Sequence, residues 1–191
     1  MALYIYQIMI TRTMAETVAD AQKMHELLTR LVGENRKDDH LLYRLDTDHD
    51  LLFVQSDKEP EKTRDLKLLH KLDTDSIAES LSDGAQVSFL LRTNVKKKYD
   101  GRPHYVPQDE VIPVMTEKLR RCGLEPVSLQ DGGKVHTSIK HRAEKGGYAE
   151  ITLHDIIARC IVKDRDTFAK AWHEGIGGHR AYGSGLLVMT R

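Results

Sequence analysis

Cysteine is nearly absent. The 191 residues contain two, Cys122 and Cys160, with no CxxC pair, so neither a disulfide framework nor a cysteine zinc site is expected. Net charge is also missing: 29 basic residues balance 29 acidic ones. That balance argues against indiscriminate coating of nucleic acid while leaving room for a local basic face. No apolar run approaches the roughly 20 residues a spanning helix needs, so no membrane partner is expected. Residues 1–10 carry no basic leader and no small-residue cleavage site; they read as a first strand, and the expected location is cytoplasmic.

What is present is enough for a core, with 40% hydrophobic and 30% charged residues, in one domain or two of roughly 90 residues. Residues 3–10 form a β-rich run. Apolar residues at 14, 18, 21, 24, 28, 31 and 32 then predict one amphipathic helix over 14–32, with Thr13 as N-cap and Gly33 as stop. Strands are expected at 41–45 and 51–55, around a turn-forming run at 46–50. The polar, acidic stretch 57–84 reads as an irregular connection, and 86–93 as the strand that closes a first unit.

A second unit is expected to follow a break at Gly101-Arg102-Pro103. It has a helix over 110–122 and a hairpin of 127–129 with 134–140 turning on Asp131-Gly132-Gly133. An extended stretch at 149–162, a helix from the Asp164 cap to Trp172 and a last strand at 186–189 complete it. The fold class is therefore α+β, as tandem ferredoxin-like (RRM-like) domains, with residues 1–95 in the first and 96–191 in the second.

Five glycines between Gly175 and Gly185 demand sharp turns or close approach. Here a helix precedes the glycines and a strand follows, the reverse of a P-loop or a dinucleotide fingerprint. With His179 and Arg180 inside it, the loop formed by Gly177, Gly178 and their neighbours suits an anion such as an RNA phosphate. Two other segments are rich in base: Arg92, Lys96, Lys97, Lys98 and Arg102, and then Lys134, Lys140, Arg142 and Lys145 with His136 and His141. His173-Glu174 has Gly177 where an HExxH zinc motif needs its second histidine. No metal or other cofactor is expected.

Gly175-Ile176-Gly177 followed by Arg180-Ala181-Tyr182-Gly183-Ser184-Gly185-Leu186-Leu187 resembles the C-terminal glycine-rich signature of the CasE family, the endoribonuclease subunit of the type I-E CRISPR Cascade complex. Met24-His25, Leu42-Tyr43-Arg44-Leu45 with Val54-Gln55-Ser56, and Leu91-Arg92-Thr93-Asn94 before the lysines are similar to further family segments. The resemblance implies metal-independent cutting of a CRISPR repeat stem-loop, with a 2′-hydroxyl attacking the adjacent phosphorus to leave 2′,3′-cyclic phosphate and 5′-hydroxyl ends. Other Cascade subunits are the implied protein partners.

By spacing alone His25 lies at the edge of its helix's apolar face, where a packed structural role is the ordinary one. The resemblance makes it the proton-transferring residue, with the near-neutral pKa such a task needs. Gln22 stands where family members commonly carry tyrosine; its amide can donate a hydrogen bond but cannot shuttle a proton. Lys97 joins His25 and Gln22 as a catalytic candidate that would stabilise charge. Arg92, Lys96, Lys98, Lys134, Lys140, Arg142, Lys145 and the loop residues Gly177, Gly178, His179 and Arg180 are the RNA-binding candidates. Two other readings remain: a Cascade subunit that holds the hairpin but cuts weakly, and a small-molecule sensor with no RNA role.

Overall fold

The computed structural model describes residues 1–33, 40–140 and 148–190. Two four-stranded antiparallel sheets organise it. The first has the order β2-β3-β1-β4, built from β1 (Ala2–Ile8), β2 (Leu42–Asp46), β3 (Leu51–Ser56) and β4 (Leu66–Asp73). The second has the order β10-β5-β9-β8, from β5 (Gln86–Thr93), β8 (Leu124–Lys140), β9 (Tyr148–Val162) and β10 (Leu187–Thr190). With α4 (Val111–Arg121) after β5 and α5 (Arg165–Glu174) before β10, the second unit is a full βαββαβ ferredoxin-like repeat. The tandem ferredoxin-like class is the observed one.

The strand at 86–93 opens the second unit instead of closing the first. Its alternating Val87, Phe89 and Leu91 point into the second core, beside Met115, Phe168 and Trp172. The fourth place in the first sheet is filled by β4, inside the stretch expected to be irregular, and α3 (Thr74–Ser80) follows it. That strand escaped detection because only Leu66 of it is buried; an exposed edge strand has no inward face to impose a period of two. The sheets therefore divide the chain between β4 and β5, ahead of residue 95.

The expected 14–32 helix is two helices, α1 (Arg12–Val18) and α2 (Ala21–Val32). Thr11, not Thr13, caps the first, its Oγ1 accepting from Met14 N at 3.1 Å. Asp20 starts the second, Oδ1 accepting from Gln22 N at 2.9 Å and Lys23 N at 3.2 Å. The Asp131-Gly132-Gly133 run is a bulge inside β8, not a turn, because the residues on both sides of it pair with the same strand, β9. The lysine run lies in a hairpin of β6 (Lys96–Tyr99) and β7 (Arg102–Tyr105). Asp100 and Gly101 turn it with φ of 49° and 75°, the left-handed geometry an Asp-Gly pair favours.

The first core packs Tyr4, Tyr6, Leu52 and Val54 against Met14, Met24 and Leu28. The opposite face of the first sheet meets the second domain, where Leu3 and Leu42 pack with Leu186 and Val188. On that face Gln55 Nε2 donates to Trp172 O at 3.0 Å. Arg44 and Arg92 both pair with Asp155, at 3.3 and 2.8 Å. Leu42 and Arg44 on β2 share the face with Phe53 and Gln55 on β3, as their register requires.

Candidate functional site

The Asp20 cap turns α2 so that Met24, Leu28 and Leu31 enter the first core. His25 then falls at the rim of that face and is 6% exposed. Its ring looks across the domain boundary, edge-on to Tyr182 with centroids 6.1 Å apart at 62°. Around them lies a pocket of about 360 Å³, with Thr29, Val32, Leu41 and Ala181 in its walls.

Tyr182 is carried by the glycine loop, which β5 holds in place. Gly185 N donates to Arg92 O at 2.8 Å, Thr93 Oγ1 to Ile176 O at 2.9 Å, and Gly178 N to Asn94 Oδ1 at 2.8 Å. Ser184 Oγ closes the loop on Gly178 O at 2.8 Å. His179 and Gly183, at φ of 61° and 77°, bracket a 3₁₀ turn over Arg180–Tyr182. Gly177 has φ of 111°, and a Cβ there would overlap Thr93 Oγ1. This glycine serves close packing against β5, and the Gly178 N–H expected to face a phosphate is spent on Asn94.

His179 also links the loop to the lysine hairpin, with Lys96 Nζ 3.4 Å from its Nε2. Lys96 lies over the Tyr105 ring at 4.3 Å. Burial first, then the Lys96 charge, push the His179 pKa below its ordinary value. From the second domain, the β8–β9 pairing runs on through residues 134–140 and 148–154, past the end of β5 at Thr93. The pair thus projects as a two-stranded ribbon, and β8 touches α2.

A family model described as CRISPR associated protein matches residues 3–191. The chain belongs to that family. No curated protein matches this CRISPR-associated protein in sequence at a significant level. Among solved structures it is similar to the CRISPR endoribonuclease Cse3 bound to 19 nt RNA, with TM-score 0.86, 18% identity and coverage of 100% of this chain and 99% of that one. Thermus thermophilus Cse3 bound to an RNA representing a pre-cleavage complex gives 0.81, 19%, 100% and 98%. The CRISPR-associated protein Cas6e from Escherichia coli K-12 gives 0.65, 18%, 100% and 99%. At these identities the likeness is one of fold, and it agrees with the kinship read from the glycine signature.

The CRISPR-associated chain links His25, the glycine loop and Lys96 through these contacts and commits several other candidates to partners of their own. Gln22 Nε2 donates to Glu26 Oε1 at 2.7 Å along the helix surface. Lys97 is ion-paired with Glu110. Arg92 Nε and Nη2 each donate to Asp155 at 2.8 Å, and Nη1 donates to Leu45 O at 3.2 Å. The fork ties β5 to β9 and the Leu45 contact reaches the first domain, so this guanidinium is not a free phosphate ligand. Lys98, Lys134 and Arg180 are exposed, although Arg180 Nε donates to Gly177 O at 3.1 Å. Lys140 is the last described residue of β8; Arg142 and Lys145 lie outside the described residues.

Sequence reasoning missed Tyr182, Asn94 and Asp155 as working parts of the site. Tyr182 had a signal, as an aromatic ring between two glycines in a loop already marked as special. Asn94 and Asp155 had none, because their partners are remote in sequence.

Proposed function

We propose that this chain is a CRISPR repeat endoribonuclease that seats an RNA stem-loop across its two domains and cuts it at His25. The observation that carries the reading is the His25–Tyr182 contact, which puts a near-buried imidazole of the first domain beside the glycine loop of the second. Similarity to the Cse3 endoribonuclease bound to RNA and to a subunit of a CRISPR RNA-guided surveillance complex, pre-nicking, supports the same substrate and other Cascade subunits as partners.

Strand cutting by this route needs no metal. The 2′-oxygen loses its proton and bonds to phosphorus, the bond from phosphorus to the 5′-oxygen breaks, and that oxygen takes up a proton. An imidazole transfers protons well near neutral pH. The exposure of Arg180, Lys98 and Lys134 supports contacts to phosphates, which position RNA without reading its sequence. The deep, narrow groove of an RNA helix favours recognition by shape, and a projecting ribbon beside α2 suits that task.

A second reading, a subunit that holds the hairpin and cuts slowly, is favoured by the engagement of Gln22 with Glu26 and of Lys97 with Glu110. One experiment separates them: incubation of a cognate repeat RNA in EDTA beside a copy with a single 2′-deoxy nucleotide at the cut site. Cutting of the first only, with a cyclic phosphate end, supports the nuclease. Tight binding of both without cutting supports the holder.

A further inference from the structure

The sequence spacing offered no histidine metal site, yet the fold gathers one from three remote segments. His40 stands just ahead of β2, Asp57 just after β3, and His173 in the last turn of α5. One ligand atom from each lies within 4.8 Å of the other two. His173 Nε2 is 3.7 Å from Asp57 Oδ1, and the His40 and His173 rings meet edge-on with centroids 4.5 Å apart.

We propose that His40, Asp57 and His173 bind a zinc ion that bridges the two domains. Two imidazole nitrogens and one carboxylate oxygen are a donor set suited to zinc, at bond lengths of about 2.0–2.2 Å. Ligand atoms around a tetrahedral ion with such bonds stand roughly 3.3–3.5 Å apart, so Asp57 and His173 already lie near the required separation. All three side chains reach solvent and can close by small rotations, while a fourth position stays open to water.

The backbone behind the triad is held more firmly than its exposed tips. Gln55, two residues before Asp57 and fully buried, donates to Trp172 O at 3.0 Å and to His173 O at 3.4 Å. That contact fixes the end of α5 against β3, so Asp57 and His173 are presented in a constant relation, as a metal site needs. The glycine loop leaves α5 at Gly175, two residues after the proposed ligand His173. An ion here ties the origin of that loop to the first domain. The inference needs no RNA and stands apart from the nuclease reading.

The test uses the full chain, free of any affinity tag and stripped with EDTA, titrated with Zn²⁺ alone and followed by calorimetry and by the visible absorption of Co²⁺ as substitute. One ion per chain is expected, with no binding of Mg²⁺ at the same concentration because that ion prefers all-oxygen sites. His173→Gln and Asp57→Asn should each weaken zinc by about tenfold or more, since losing even the groups behind metal ligands has cost that much. His49→Gln removes an exposed histidine paired with a single carboxylate, Asp46, at 3.0 Å, and should change nothing. If either ligand variant has a lowered Tm in EDTA, His40→Gln replaces it. No binding by the unmodified chain, or equal binding by the ligand variants, overturns the proposal.

Discussion

Tyr182 lies edge-on to His25 with ring centroids 6.1 Å apart, and this contact joins the glycine loop of one domain to the helix of the other. Removing the ring should loosen the imidazole without abolishing its chemistry. Aromatic pairs contribute about 0.5–1.5 kcal/mol beyond burial. Tyr182→Ala should therefore lower the single-turnover cleavage rate by roughly 2–12-fold, and Tyr182→Phe should keep most of it. A Phe variant as slow as the Ala variant would assign the effect to the phenol hydroxyl.

Gly177→Ala should destabilise the second domain. The position has φ of 111° and its Cβ would overlap Thr93 Oγ1. Backbone strain of this kind costs about 1–3 kcal/mol, read as a drop in Tm. The double variant with Thr93→Ala should recover part of the loss, because it relieves the overlap but not the strain, and such neighbours are not additive.

Asp155→Asn should weaken the fastening between domains. Burial pushes the Asp155 carboxyl up, but the Arg92 hydrogen bonds and the Arg44 and Arg92 charges outweigh burial and hold it below its ordinary value. A carboxylate with a depressed folded pKa contributes stability that is fully present above its unfolded pKa of about 3.9 and is lost as pH falls through the lower folded value. Unfolding of the unmodified chain should thus show an acid-side decline that Asp155→Asn shares less. At neutral pH the substitution should cost about 3 kcal/mol, near the low end for breaking a buried pair, because Asp155 keeps 24% side-chain exposure.

His179 should titrate below the ordinary histidine value, and Lys96→Met should raise its pKa by removing a cation 3.4 Å away. A histidine with a depressed folded pKa is stabilising above the unfolded value, about 6.5, and costs stability as pH falls below it. A histidine-resolved NMR titration of both proteins checks the direction; a lower value in the variant would contradict it.

The sequence was informative where local chemistry decides and silent where distant strands do. The glycine loop, the Asp164 cap and the 3–4 spacing that sets His25 at the rim of α2 were legible because each depends on residues close along the chain. The pairing of β5 was not, since its alternation serves either sheet equally well. Nor was β4, whose exposed Leu68, Leu69 and Leu72 break any inward pattern. Basic residues were legible as a class, but their availability was not: Arg92 and Lys97 are neutralised by Asp155 and Glu110, partners that only the fold supplies. The Asp-Gly turn of the β6–β7 hairpin was present in the sequence, overshadowed by the proline that follows Arg102.

If His25 does the cutting, His25→Ala on a pre-bound repeat RNA will show it, with affinity and single-turnover rate measured on one preparation. Affinity should be unchanged and the rate lower by about 10²–10⁴-fold, the usual contribution of a proton-transferring side chain. A variant that binds and cuts at the unmodified rate would contradict it.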